Sequence, residues 1–353
     1  TENLTAEELY FIDETLQGFR RSGLHLDNAS FQRVQTLMKE LTNLALEFQR
    51  NINTDQSQLL FDESELAGVP ATVITNLERT ANQQLIVKTD YPTITGILEF
   101  CENAETRHKV SQMFNQRAYP QNTAALTALI NKRDELAQLL GFPSYAALDL
   151  DDQMAKQLDV VEQFIDQLQA KALPKAQTEL QQLLAAYPDP QSLLNAQGQI
   201  YPWNLGFLKN YYKKHQLNLD MRIVAEYFPM AQTLQQLLKI YEQFLGLRFA
   251  QQKIDLWVPD LELLTVYRDT QLLGYIILDL HPRANKFNHA ASFSVVHTVL
   301  APAGATLAVD VIMTNFPQAA ADQPALLNFN DVVTFFHEFG HALHTVLGAT
   351  KIA

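Results

Sequence analysis

The sequence predicts a mainly α-helical protein, with a helical region over residues 1–200 and a small β-sheet set beside one chemically loaded helix over residues 201–353. Three observations carry that prediction. Apolar residues recur at three- and four-residue spacing through most of the first 200 positions. Short runs of β-branched and aromatic residues, broken by Pro, Asp and Gly, cluster between 250 and 316. The segment FFHEFGHALH then combines a helical period with a metal-ligand spacing. No Gly/Ser-rich linker marks a boundary, so the division near 200 is a soft one.

Taken in order, LTAEELYFIDETLQGFRRSG places Thr5 three residues before Glu8, the signature of a capping box, and closes at Gly23. Over 30–51, Phe31, Val34, Leu37, Met38, Leu41, Leu44, Ala45 and Phe48 share one helical stripe. The same spacing predicts helices near 72–82, 93–117, 122–140 and 157–187. Pro92 suits a first turn, and Pro188 and Pro190 act as stops. GFPSYAALDLDD reads as a loop leading into a short helical piece. MAQTLQQLLKIYEQFLGL, at 230–247, is a helix closed by Gly246. KIDLWVP, LELLTVYRD, LLGYIILDLHP, ASFSVVHTVL and TLAVDVIMTNF read as strands of one sheet. Asn330 or Asp331 is the expected cap of the final helix, and Gly348 its end.

Composition narrows the function. With 353 residues, 47% hydrophobic and 18% charged, the chain can bury a sizeable core. A net charge of −13 argues against nucleic acid as the main partner, because phosphate binding needs a basic surface. Cys101 is the sole cysteine, which excludes an internal disulfide and a thiolate metal cluster and suits a reducing compartment. TENLTAEELYFIDE has the features of neither a signal nor a transit peptide. No apolar run reaches the roughly 20 residues of a membrane span. The expected setting is cytoplasmic, without membrane contact. Nucleophile-elbow and phosphate-loop patterns are absent from the sequence.

His337-Glu338-Phe339-Gly340-His341 matches H-E-x-x-H, in which two histidines one helical turn apart share a zinc and the glutamate stands beside it. Around the motif, Val332, Val333, Phe335, Phe336, Phe339, Ala342, Leu343, Val346 and Leu347 leave a single polar stripe of Thr334, His337, Glu338, His341, His344 and Thr345. A helix that apolar is buried, so two imidazoles and a carboxylate on its stripe need partners. A metal in a wet cleft supplies them; histidines bonded to backbone carbonyls are the structural alternative. His344 is a poor third ligand, because seven residues rise about 10.5 Å along a helix whereas two nitrogens on one zinc lie only about 3.4 Å apart. Trp203, Tyr211 and Tyr212 could line a peptide-binding surface or simply pack. His281, His289 and His297 read individually as structural histidines.

Beyond the pentapeptide, three longer stretches carry a resemblance: VAEYFPMAQTLQQLLKIYEQFLGL, LLGYIILDLHPRANKFNHAA and MTNFPQAAADQPALLNFNDVVTFFHEFGHALH. With weaker likenesses near the first helix, at ETRHKVSQMFNQRAYPQNTAALTALINKRDELAQLLGF and at GFPSYAALDLDDQMAK, they cover essentially the whole chain. The sequence resembles the thimet oligopeptidase family of zinc metallopeptidases, which includes neurolysin, bacterial oligopeptidase A and mitochondrial intermediate peptidase. The resemblance implies a two-lobed, zincin-type helical fold with a deep channel. It also implies His337 and His341 as ligands of one zinc ion, Glu338 as general base, and internal cleavage of short peptides. The family's third ligand is a glutamate on a helix following the metal helix, and is expected beyond Ala353. HPRANK departs from the family pattern, with His281 where tyrosine is expected and Ala284 where glutamate is expected. The chain is accordingly expected to be an internal fragment of a longer zinc-dependent oligopeptidase, inactive by itself. The rival expectation is a non-catalytic helical module that binds peptides in a peptidase-like groove.

Overall fold

The computed structural model describes residues 4–259, 261–283, 286, 287, 289–301, 304–319 and 324–349. Two compact units each recruit two chain segments: Thr1–Asp55 with Gln116–Ala185, and Gln56–Asn115 with Ala186–Ala353. The units thus interleave along the chain. Helix α1 (Ala6–Arg21) starts on the expected capping box, Thr5 accepting from the Glu8 amide while the Glu8 carboxylate accepts from the Thr5 amide. Helix α2 (Asn28–Asn53) starts on Asp27, whose carboxylate accepts from Ala29 N at 2.9 Å and Ser30 N at 3.1 Å.

The chain then enters the second unit through β1 (Leu59–Phe61), α3 (Ala71–Thr75), β2 (Glu78–Arg79) and β3 (Leu85–Val87), which form a three-stranded sheet in the order β1-β3-β2. The helix expected at 72–82 is therefore cut to one turn. Beyond it the backbone reverses at Gln83, φ 65°, and Glu78 and Arg79 pair with Ile86 and Leu85. The helix expected at 93–117 is also two, α4 (Tyr91–Phe100) and α5 (Ala104–Asn115). Arg107, 1% exposed, holds the break: its guanidinium donates to Cys101 O at 2.6 Å, Glu102 O at 3.1 Å and Asn204 Oδ1 at 2.7 Å.

Back in the first unit, α6 (Asn122–Leu139) and α7 (Tyr145–Leu150) pack with α2 around Val34, Leu37, Leu136, Ala137, Leu140 and Leu148. Helix α8 (Leu158–Ala185) has no buried residue, and its Val160, Phe164, Ile165 and Leu168 lie exposed.

The rest belongs to the second unit. Helices α9 (Pro202–Gln216), α10 (Met221–Ala225) and α11 (Met230–Leu245) follow, α11 closing at Gly246 with φ 64°, the left-handed value that favours glycine. Strands β4 (Arg248–Ile254), β5 (Leu261–Arg268), β6 (Gln271–Asp279), β7 (Ala291–Val296) and β10 (Ala308–Met313) form a mixed sheet in the order β4-β5-β6-β10-β7. Strands β8 (Val299–Ala301) and β9 (Gly304–Thr306) pair separately. β10 runs parallel to β6 and antiparallel to β7, which is an edge. Gly274 permits the β6–β10 approach, since an added Cβ would lie 2.7 Å from Ala308 O. Helix α12 (Phe329–Leu347) covers one face of this sheet, where Leu237, Ile276, Ile312, Phe335 and Phe339 share a core. Leu261, Ile277 and Val311 cluster on the other face.

The strand expected at KIDLWVP ends at Ile254. DLWVP instead brings Trp257 Nε1 to Asp279 Oδ2, 2.9 Å away. Asp279, 2% exposed, also accepts from Arg283 at 2.7 and 2.8 Å and from Lys286 Nζ at 2.8 Å. Lys286, 4% exposed, donates further to the carbonyls of Asp279, His281 and Thr314, which ties Lys286 to the ends of β6 and β10. Removing one partner of a buried pair costs about 3–5 kcal/mol. Lys286→Met should lower the unfolding free energy by about that much, read from denaturant midpoints at unchanged m-value. Burial pushes the Asp279 carboxyl up, yet the bonds from Arg283, Lys286 and Trp257 outweigh it and bring the pKa from 3.8 to about 2. A folded pKa below the unfolded one contributes stability above about pH 4 that is lost as pH falls toward about 2. Asp279→Asn should therefore flatten the acid limb of stability in that window, measured by denaturation at stepped pH.

Candidate metal centre

The cap of α12 is Asn328, two residues before the earliest position expected. Its Oδ1 accepts from Asp331 N at 2.9 Å, and Asp331 Oδ2 accepts from Asn328 N at 3.1 Å, a reciprocal capping box. Burial raises the Asp331 carboxyl above its usual value, against the lowering effect of those bonds. At the other end, Gly348 N donates to His344 O at 2.8 Å, and an added Cβ there would lie 2.7 Å from that carbonyl oxygen.

Between the caps the stripe divides largely as the sequence predicts, the exceptions being Val333, which is exposed, and Glu338, which is buried. Phe335, Phe339, Ala342, Leu343 and Val346 are buried, whereas His337, His341 and His344 are exposed. The Nε2 atoms of His337 and His341 lie 3.1 Å apart with ring planes at 82°. Two nitrogens on one tetrahedral zinc are about 3.4 Å apart, so the pair could hold such an ion with a small adjustment. Glu338, between them in sequence, is 9% exposed and has no hydrogen-bond partner among the described residues.

A cavity of about 390 Å³ opens here, with Glu338, His341, His344 and Thr345 of α12 on one wall. The facing wall is Ala290, Ala291, Ser292 and Ser294, at the start of and along β7, and Asp310 of β10. Ser294 Oγ donates to Thr345 Oγ1 at 3.1 Å, bridging strand and helix, and Ser292 Oγ donates to Asp310 Oδ1 at 2.6 Å. Among the described residues no group of three His, Cys, Asp or Glu side chains is placed to hold a metal ion.

The other candidates do not line this cavity. His281 Nδ1 is 3.3 Å from Phe316 O, a backbone contact. His289 packs edge-on against Tyr91, and His297 Nδ1 is 3.4 Å from Ser294 Oγ. Trp203 stacks between Tyr201 and His108 at 4.5 and 4.1 Å, and Tyr211 stacks on His215 at 3.9 Å. Tyr212 is half-buried on α9. Ala284, one of the two departures in HPRANK, lies outside the described residues. Asp310 was not singled out by its sequence, although a lone charge at an inward position of TLAVDVIM is a readable signal.

The chain is mainly helical, with a small mixed sheet flanking an H-E-x-x-H helix. Residues 97–353 match peptidase family M3, and the chain belongs to that family. It is 30% identical to saccharolysin of Saccharomyces cerevisiae, over 99% of this chain and 52% of that protein. It is 28% identical to a thimet-like oligopeptidase of Dictyostelium discoideum, covering 99% and 54%, and 27% identical to oligopeptidase A of Escherichia coli, covering 97% and 52%. The chain thus spans about half the length of these relatives.

Losing a helix cap costs about 1 kcal/mol. Asn328→Ala should destabilise the second unit by about that amount and speed hydrogen exchange of the first-turn amides of α12, while leaving exchange around His341 unchanged.

Proposed function

We propose that this chain carries the metal-binding and proton-transfer residues of a zinc-dependent endopeptidase acting on short peptides in the cytoplasm, with 201–353 as its catalytic region. The observation that carries the reading is the 3.1 Å separation of the His337 and His341 Nε2 atoms, with Glu338 lining the adjoining cavity. His337 and His341 are the zinc ligands. The metal would supply a Lewis acid for the scissile carbonyl and an acidified water. Glu338 takes the proton of the attacking water and returns it to the departing amine, a role for which its lack of a competing hydrogen bond leaves it free. β7, an edge strand beside the cavity, offers unpaired backbone groups on which an extended peptide can align as an added strand, tolerating many side chains. Oligopeptides as the substrate class follow the names of the relatives, oligopeptidase A and thimet-like oligopeptidase. The third ligand is proposed to be a glutamate from a segment following this chain, in keeping with the family resemblance.

In the full-length protein, Glu338→Gln should cut turnover of a quenched fluorogenic peptide by about 10²–10⁴-fold with zinc content unchanged, whereas His337→Ala should lose the zinc. The 353-residue chain alone should show no turnover. Peptide cleavage by that chain, abolished by Glu338→Gln, would show that its site is complete without a further ligand.

A further inference from the structure

Asp310 is a charge where the packing calls for an apolar residue. It lies on β10 between Ala308 and Ile312 in the row that faces the α12 core, while Val309, Val311 and Met313 face the opposite side. It is 0% exposed. Ser292 Oγ satisfies Oδ1 at 2.6 Å, but Oδ2 has no hydrogen-bond partner. A buried carboxylate oxygen without a donor is costly, and a neutral side chain of similar size would avoid that cost. The missing donor should therefore come from the cavity wall that Asp310 shares with Glu338, His341, His344 and Thr345.

We propose that Asp310 is a positioning residue for His341, its carboxylate accepting the Nδ1–H of that imidazole when Nε2 faces the metal. This rests on the metal reading above. The 3.1 Å approach of the two Nε2 atoms assigns which nitrogen of His341 faces the ion. The other nitrogen of a ligand histidine nearly always donates to a carboxylate, carbonyl or water, which fixes the tautomer and the ring plane. Among the described residues, His341 Nδ1 has no acceptor, and Asp310 Oδ2 is the buried carboxylate oxygen that lacks a donor. Two rival roles fit less well. Asp310 is not grouped with the imidazoles as a third ligand among the described residues. Its complete burial also shields it from a cationic substrate side chain.

The test compares wild type, Asp310→Asn and Asp310→Ala in the full-length protein, measuring zinc affinity by competition with a chelating dye and melting temperature in excess chelator. Zinc affinity should fall about 10–100-fold in both variants, while the metal-free protein melts at the same temperature or higher, because the orphaned oxygen is gone. A purely structural aspartate would give the opposite pair of results, a lower metal-free melting temperature and unchanged affinity. In a His341→Ala background Asp310→Asn should cause no further loss of affinity, and a comparable second loss there would overturn the assignment. Wild-type protein that takes up no zinc would overturn the metal reading itself. Zinc uptake that neither Asp310 variant weakens would overturn this inference alone.

Discussion

Phe339, the residue that separates Glu338 from Gly340 in the pentapeptide, anchors the site. Its ring is 0% exposed and meets Tyr241 at 5.3 Å, Phe249 at 5.9 Å and Phe335 at 6.4 Å, while Phe335 in turn meets Phe316 at 5.4 Å. These contacts lock α12 against α11, β4 and the segment after β10, and so set its rotation about its own axis. One residue is about 100° on a helix, so a small roll would carry both imidazoles and the carboxylate away from the cavity together. The chemistry-bearing positions are precise because the position between them is core.

The sheet is held to that helix by polar as well as apolar means. Ser294 of the edge strand reaches Thr345 of α12, and Ser292 reaches Asp310 on the neighbouring strand. Lys286 is itself anchored, its ammonium gathering three carbonyls and the Asp279 carboxylate. Helix α12, β7 and β10 are therefore joined by side-chain hydrogen bonds as well as by packing.

What the sequence made legible is what local physics decides. The Thr5–Glu8 capping box, the Gly246 stop and the polar stripe of α12 are encoded within a turn or two of chain, and each is found where periodicity places it. The misreadings share a non-local cause. Residues 93–117 keep a helical period across Cys101, yet Arg107 withdraws the carbonyls of Cys101 and Glu102 from the helix with help from Asn204, 97 positions away. The 72–82 segment loses its helix to strand pairing with β3. DLWVP looks like a strand by composition, but Trp257 finds a better partner in Asp279. At α12, Asn328 wins over Asn330 and Asp331 because Asp331 is placed to complete the capping box as its third residue. The paired imidazoles were legible as a spacing. Asp310 was readable as a lone charge in an apolar strand, but its place beside α12 came only from the pairing of β10.

Buried charge separates scaffold from site in the second unit. Arg107 has four hydrogen bonds and the ring of Phe207 4.1 Å from its guanidinium carbon; Asp279 and Lys286 saturate one another and their surroundings. Such groups cost little once satisfied, and they fix the backbone at places where helices break or strands end. Among the described residues, the buried side-chain polar atoms without a partner are Thr298 Oγ1 and Asp310 Oδ2, and only the second belongs to a carboxylate. Glu338, which lines the same cavity, likewise has no hydrogen-bond partner among the described residues. Among the described residues the other buried charges are satisfied, whereas Asp310 Oδ2 and Glu338, both lining one cavity, are not, which keeps polarity there at a cost in stability. That unspent hydrogen-bonding capacity lines the cavity beside the paired imidazoles of α12.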